Sequence, residues 1–129
     1  MVTEQLLQGA EQTLDTAGID KADRGVFYVP GAWELPQAAA RLSRRGGWNA
    51  IIALGCVIRG ETAHFDFVAG AANDGLGALA REIDIPVVFG VLTTENPEQA
   101  LERADVQGSD KGGEAARAAL DMMELYDRV

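Results

Sequence analysis

Ala50-Ile-Ile-Ala-Leu-Gly-Cys-Val-Ile-Arg-Gly-Glu-Thr-Ala-His64 is the stretch on which the architecture turns. Its opening, Ala50 to Leu54, is a continuous apolar run, the pattern of a strand buried on both faces of a parallel sheet. After it, Gly55 to Ala63 reads as a glycine-bracketed turn that opens a helix. Free backbone N–H groups and the positive end of the helix dipole suit an anion such as phosphate at that point. His64, the only histidine, stands at the helix start, where an imidazole can move protons near neutral pH. A surface or capping histidine would occupy the same place, so the local pattern leaves both readings open.

Outward from this stretch, strands and helices alternate. Leu7, Ala10, Leu14 and Ala17 recur at helical spacing before a stop at Gly18. Val26-Phe-Tyr-Val29 reads as a short strand ended by Pro30-Gly31. Leu35, Ala38, Ala39 and Leu42 mark a second helix ending before Gly46-Gly47, and Phe65, Val68, Ala72, Leu76, Leu79 and Ile83 mark a third. Pro86 to Leu92 is another buried strand. Asn96 reads as an N-cap with Pro97 at the first helical position of a short helix through Arg103. A polar loop, Asp105 to Asp110, precedes a last helix carrying Ala115, Ala119, Met122 and Tyr126, in which Met122 and Met123 read as core filler. This order predicts a layered α/β domain with a mostly parallel sheet, one domain across residues 1–129. Ligands of such sheets bind beyond the carboxyl ends of the strands. Three loops lie there: Pro30 to Glu34, Gly55 to His64, and Thr93 to Asn96.

Composition narrows the function. The chain has 129 residues, 47% of them hydrophobic, and a net charge of -9, with no basic cluster longer than Arg44-Arg45. A nucleic-acid binder needs a Lys and Arg surplus, so none is expected. No apolar run approaches the ~20 residues of a membrane span, and no signal-peptide pattern is present, which predicts a protein inside the cell with no membrane partner. The lone Cys56 precludes an internal disulfide, and one His with one Cys is no zinc ligand set.

Gly55-x-x-x-x-Gly60-Glu61-Thr62 falls one residue short of a P-loop, with Glu61 in place of the lysine that reaches the β and γ phosphates. A carboxylate there repels them; a looser backbone cradle for a single phosphate survives that objection. Trp33 and Glu34 follow the Pro-Gly turn and could hold a polar ring compound, or be a core aromatic and an early-helix acid. Cys56 has no nearby histidine signature and reads as a structural thiol. Arg103 and Lys111, taken alone, are ordinary solvated charges.

Four segments together resemble the lumazine synthase family of riboflavin biosynthesis: Val29-Pro-Gly-Ala-Trp-Glu-Leu-Pro36; Ala53 to Val68 with its Gly-Cys-Val-Ile-Arg-Gly-Glu-Thr-Ala-His centre; Val87-Val-Phe-Gly-Val-Leu-Thr-Thr-Glu-Asn96; and Glu98-Gln-Ala-Leu-Glu-Arg-Ala104 with Lys111-Gly112. The order and spacing match over nearly the whole chain. The resemblance implies a three-layer α/β/α, flavodoxin-like fold and the condensation of 5-amino-6-(D-ribitylamino)uracil with 3,4-dihydroxy-2-butanone 4-phosphate, without a cofactor or metal. By position it implies that Ala32, Trp33 and Glu34 contact the pyrimidine and ribityl chain, and that Cys56, Val57 and Ile58 line the pyrimidine. It further implies that Glu61 and Thr62 meet the phosphate, that His64 transfers protons, and that Phe89, Arg103 and Lys111 come from a neighbouring subunit. It implies a cytoplasmic pentamer, in many members built into an icosahedral shell, and riboflavin synthase as a candidate protein partner.

The resemblance breaks at the amino terminus. Family members carry a strand ending in an aromatic and an Asn before the segment matching Val2-Thr3-Glu4, and this chain has neither. That strand would lie between those at Val26 and Ala50. An incomplete sheet is therefore predicted, with unpaired backbone groups costing about 1 to 3 kcal/mol each where buried. Two further classes of function follow: a catalytically weak, shell-forming structural protein, and a flavin- or pterin-like ligand-binding module.

Overall fold

The computed structural model describes residues 1–129. In chain order the elements are α1 (Val2–Thr16), α2 (Leu35–Arg45), β1 (Ile51–Ile58), α3 (His64–Glu82), β2 (Val87–Thr94), α4 (Pro97–Ala104) and α5 (Lys111–Arg128). β1 and β2 pair in parallel, with Ile51 opposite Val87 and Ile58 opposite Thr94. No helix is long and apolar enough to cross a membrane.

The two strands are apolar on both faces, and helices cover both. Ile51, Ala53 and Val57 of β1, with Val91 of β2, pack against Ala39 of α2 and Leu76 of α3. On the other face Leu54 and Cys56 of β1 and Leu92 of β2 meet Leu6 of α1 and Ala104 of α4. The result is the expected α/β layering around a parallel sheet.

α1 and α5 approach closely because their contact residues are small. A Cβ added at Gly112 would stand 1.9 Å from the Leu6 carbonyl oxygen, and one at Gly9 would stand 2.2 Å from Asp110 Oδ1. The buried residues of α1 are Leu6, Gly9 and Ala10; of the expected positions Ala10 is buried, Leu7 and Leu14 are half-buried and Ala17 is exposed. The helical period and the burial of Ala10 were legible, and Leu6 and Gly9 were not, since a pattern that counts large apolar side chains overlooks a glycine contact. Likewise Met122 is exposed and Met123 half-buried, so this pair does not fill the core.

Capping follows the local sequence. Asn96 Oδ1 accepts from the Gln99 N–H at 2.8 Å and caps α4, with Pro97 in its first turn, while Gln99 Oε1 reaches back to accept from the Glu95 N–H at 2.8 Å. Asp110 Oδ1 caps α5 at the Gly113 N–H, 3.2 Å away.

Three strand expectations change, the smallest at β2, which ends at Thr94 and not at Leu92, so that Thr93 and Thr94 belong to the ladder and not to a loop. β1 does not stop at Leu54 but runs on to Ile58, so Gly55 lies inside the strand opposite Val91. The connection to α3 is thus only Arg59 to Ala63, and the P-loop-like spacing has no P-loop geometry. Val26 to Val29 forms no strand; Phe27 is 59% and Tyr28 80% exposed, with Phe27 resting edge-on against Trp48 at 6.0 Å. A strand requires a hydrogen-bonded neighbour, and the sheet holds only β1 and β2. The Ile51 N–H donates to the Pro86 carbonyl at 2.9 Å and the Arg59 N–H to the Thr94 carbonyl at 2.8 Å. A parallel ladder alternates, so odd-numbered residues of β1 face β2, while Ile52, Leu54, Cys56 and Ile58 turn their N–H and C=O groups to an edge without a partner strand.

Candidate active site

The carboxyl ends of both strands converge with the start of α3. β1 leaves the sheet at Ile58, and the exposed connection Arg59 to Ala63 turns into α3, whose first residue is His64. The N–H groups of Gly60, Glu61, Thr62 and Ala63 take part in no backbone hydrogen bond of a turn or loop and in no bond to a side chain; only the next amide, His64, is partnered, by Thr62 Oγ1 at 3.3 Å. A Cβ at Gly60 would meet nothing within 4 Å. Four successive amides without protein partners thus lead into a helix start, the kind of backbone that can meet an anion.

The neighbouring segment comes from the Pro30-Gly31 turn. Ala32–Glu34 forms one 3-10 turn that leads directly into α2, with Pro36 in its first turn. Ala32 and Leu35 pack on the β1 core, which anchors the turn. Trp33 is 58% exposed, which rules out the core-aromatic reading, and Glu34 is half-buried without acting as a side-chain cap. Cys56 is half-buried and Ile58 exposed, while Val57 packs toward α2 and α3. Burial pushes the Cys56 thiol above its ordinary pKa, because desolvation penalises the thiolate. The thiol therefore stays protonated near neutral pH and is a poor nucleophile.

Not all the expected residues meet here. Phe89 lies opposite Ala53, toward the amino-terminal end of the ladder, about 16 Å back from Thr94 at ~3.3 Å per residue. With Lys111 it lines a groove of about 340 Å³ between β2 and the start of α5, where Lys111 pairs with Glu114 at 3.2 Å. Arg103, in the last turn of α4, is half-buried. The chain thus places Cys56, Val57, Ile58, Glu61, Thr62 and His64 along the end of β1 and the connection after it, sets the Trp33–Glu34 turn beside β1 and α3, and holds Phe89 and Lys111 in a separate groove.

Sequence reasoning assigned no role to Arg59 or Glu95. Arg59 Nε donates to Glu95 Oε2 at 2.6 Å, although the two are 36 residues apart. The only signal available was a charge at the strand terminus beside a glycine.

A family model described as 6,7-dimethyl-8-ribityllumazine synthase matches residues 1–127. Because that match spans all but the last two residues of a layered α/β chain, the chain belongs to the 6,7-dimethyl-8-ribityllumazine synthase family of riboflavin-biosynthetic transferases.

Proposed function

We propose that this chain condenses 5-amino-6-(D-ribitylamino)uracil with 3,4-dihydroxy-2-butanone 4-phosphate, giving 6,7-dimethyl-8-ribityllumazine, phosphate and water. The observation that carries the reading is the run of free amides from Gly60 to Ala63 ending at His64, in a chain of this family. The primary amine of one substrate attacks the carbonyl of the other and water leaves, phosphate departs, and ring closure by the ribityl-bearing nitrogen expels a second water. His64 passes the protons that these steps release and consume. The Gly60 to Ala63 amides, including those of Glu61 and Thr62, hold the phosphate, and Arg103 stabilises the charge that develops as it leaves. Ala32, Trp33 and Glu34 orient the pyrimidine and ribityl chain, and Cys56, Val57 and Ile58 form the wall beside the ring. These contacts position and protonate the substrates, with no role for a cofactor or metal.

The distance of Phe89 from the strand ends supports a site shared between copies, with Phe89, Arg103 and Lys111 supplied by a neighbour. A heterologous interface that closes into a ring provides that arrangement, and a pentamer, free or within an icosahedral shell, is the form proposed. The remaining parts of the proposal are one domain across residues 1–129, a cytoplasmic location and riboflavin synthase as a protein partner.

A second reading draws on the unpaired edge of β1, which leaves Cys56 and Ile58 without backbone neighbours beside the site. In it the chain assembles but turns over weakly. One experiment separates the two: both substrates are mixed with the folded protein and lumazine absorbance is followed. Product above the uncatalysed rate is expected. None, with a large particle by light scattering, would leave the assembly reading.

A further inference from the structure

Four amides make a cradle only while their loop keeps one shape. The residues Gly60 to Ala63 are exposed, so the restraint must come from the ends of the loop. Arg59 supplies it on three sides. Its Nε donates to Glu95 Oε2 at 2.6 Å, its Nη2 lies 3.8 Å from Asp66 Oδ1, and its guanidinium carbon stands 4.5 Å from the centre of the Phe65 ring. Its backbone N–H is tied to the Thr94 carbonyl at 2.8 Å. The side chain therefore spans from the β2–α4 connection to the first turn of α3, joining the two ends of the loop. Glu95 is itself held, since its N–H donates to Gln99 Oε1 on α4 at 2.8 Å.

We propose that Arg59 is a positioning residue, the clasp that holds the Gly60 to Ala63 amides and the start of α3 in the geometry that binds a phosphate. The inference rests on the phosphate reading of that loop given under Proposed function. Arg59 is not the anion's own ligand. Its charge already faces two carboxylates and its face covers an aromatic ring, so its effect on an anion runs through the shape of the loop. Exposed ion pairs contribute little to global stability one at a time. Removal of the clasp is thus expected to disturb the loop and leave the fold.

The test is a titration of the full chain with inorganic phosphate, followed by the amide NMR shifts of Gly60 to Ala63 and combined with steady-state kinetics. Arg59→Ala is expected to weaken phosphate binding about tenfold and to raise the KM of the phosphate-bearing substrate similarly, with the KM of the uracil substrate within about twofold. Arg59→Lys, which keeps the charge but not the planar fork, recovers part of the loss. Glu95→Gln shifts the same quantities in the same direction. The Arg59→Ala/Glu95→Gln pair is no worse than Arg59→Ala alone, because both act through one contact. Unchanged phosphate affinity in folded Arg59→Ala overturns the inference, as does a wild-type chain whose loop binds no phosphate. The two proposals fail separately. Wild-type turnover with no effect of Arg59→Ala removes only the clasp, whereas a tenfold loss of phosphate binding in a chain without turnover keeps the clasp and removes the condensation.

Discussion

His64 opens α3 at the end of the free-amide loop, and Arg103 closes α4; the proposed chemistry gives them different work. Arg103→Ala is expected to raise the KM for the phosphate substrate about tenfold or more, while His64→Ala mainly lowers kcat by about a hundredfold. Steady-state kinetics with each substrate varied in turn measures the split, and equal changes of KM in both variants would contradict the roles. Cys56 gives a prediction in pH. Its folded pKa is raised, so its contribution to stability is intact below the ordinary thiol pKa and is lost as pH rises through the folded value. Denaturation midpoints of the wild type are expected to fall faster above about pH 8.5 than those of Cys56→Ala; parallel curves would show that the thiol is not held protonated. At this scale the sequence was informative where function is local. The place of His64 at the start of a helix could be read from adjacent residues, whereas the loop before it is shorter than the glycines suggested, because β1 runs on to Ile58. The Arg59–Glu95 contact could not, because it depends on how two strand ends meet.

Among the elements, helices were legible and strand limits were not. Helix ends are written in residues near each other: Asn96 with Gln99, Asp110 with Gly113, and Gly18 after α1 at φ +83. A strand depends on what stands beside it. Val26 to Val29 has strand composition and no partner, while Gly55 to Ile58 reads as a turn yet pairs with β2. The close α1–α5 contact yields a test in opposite signs. Gly112→Ala drives a Cβ into the backbone of Leu6 and is expected to destabilise the chain by about 1 to 3 kcal/mol. Gly70→Ala, in α3 with nothing within 4 Å of the new Cβ, is expected to stabilise the isolated chain by about 0.5 to 1 kcal/mol. Urea denaturation of both variants decides it, and a neutral Gly112→Ala would mean that the helices are not packed this closely.

For the whole molecule, the apolar surface left outside the core bears on assembly. Phe67 is 72% exposed, and Val26, Phe27, Tyr28 and Trp33 are exposed as well. Exposed apolar residues on this scale mark surfaces that meet other molecules. Neither the composition nor the helical pattern could locate them, because both expect large apolar side chains inside. Light scattering of the full chain is expected to report a species several times the monomer mass, and a monodisperse monomer would remove the shared site.

If one chemical site is completed by two copies of the chain, copies with different defects restore it when they are mixed. His64→Ala and Arg103→Ala would be co-expressed and assayed for lumazine formation with the phosphate substrate held well below its KM, where each variant alone retains about a tenth or less of wild-type activity. In a ring of head-to-tail contacts, about a quarter of the sites in a random mixture pair an intact His64 with an intact neighbouring Arg103. Activity near a quarter of wild type is the expected result, and activity no greater than the two variants measured separately would contradict the account.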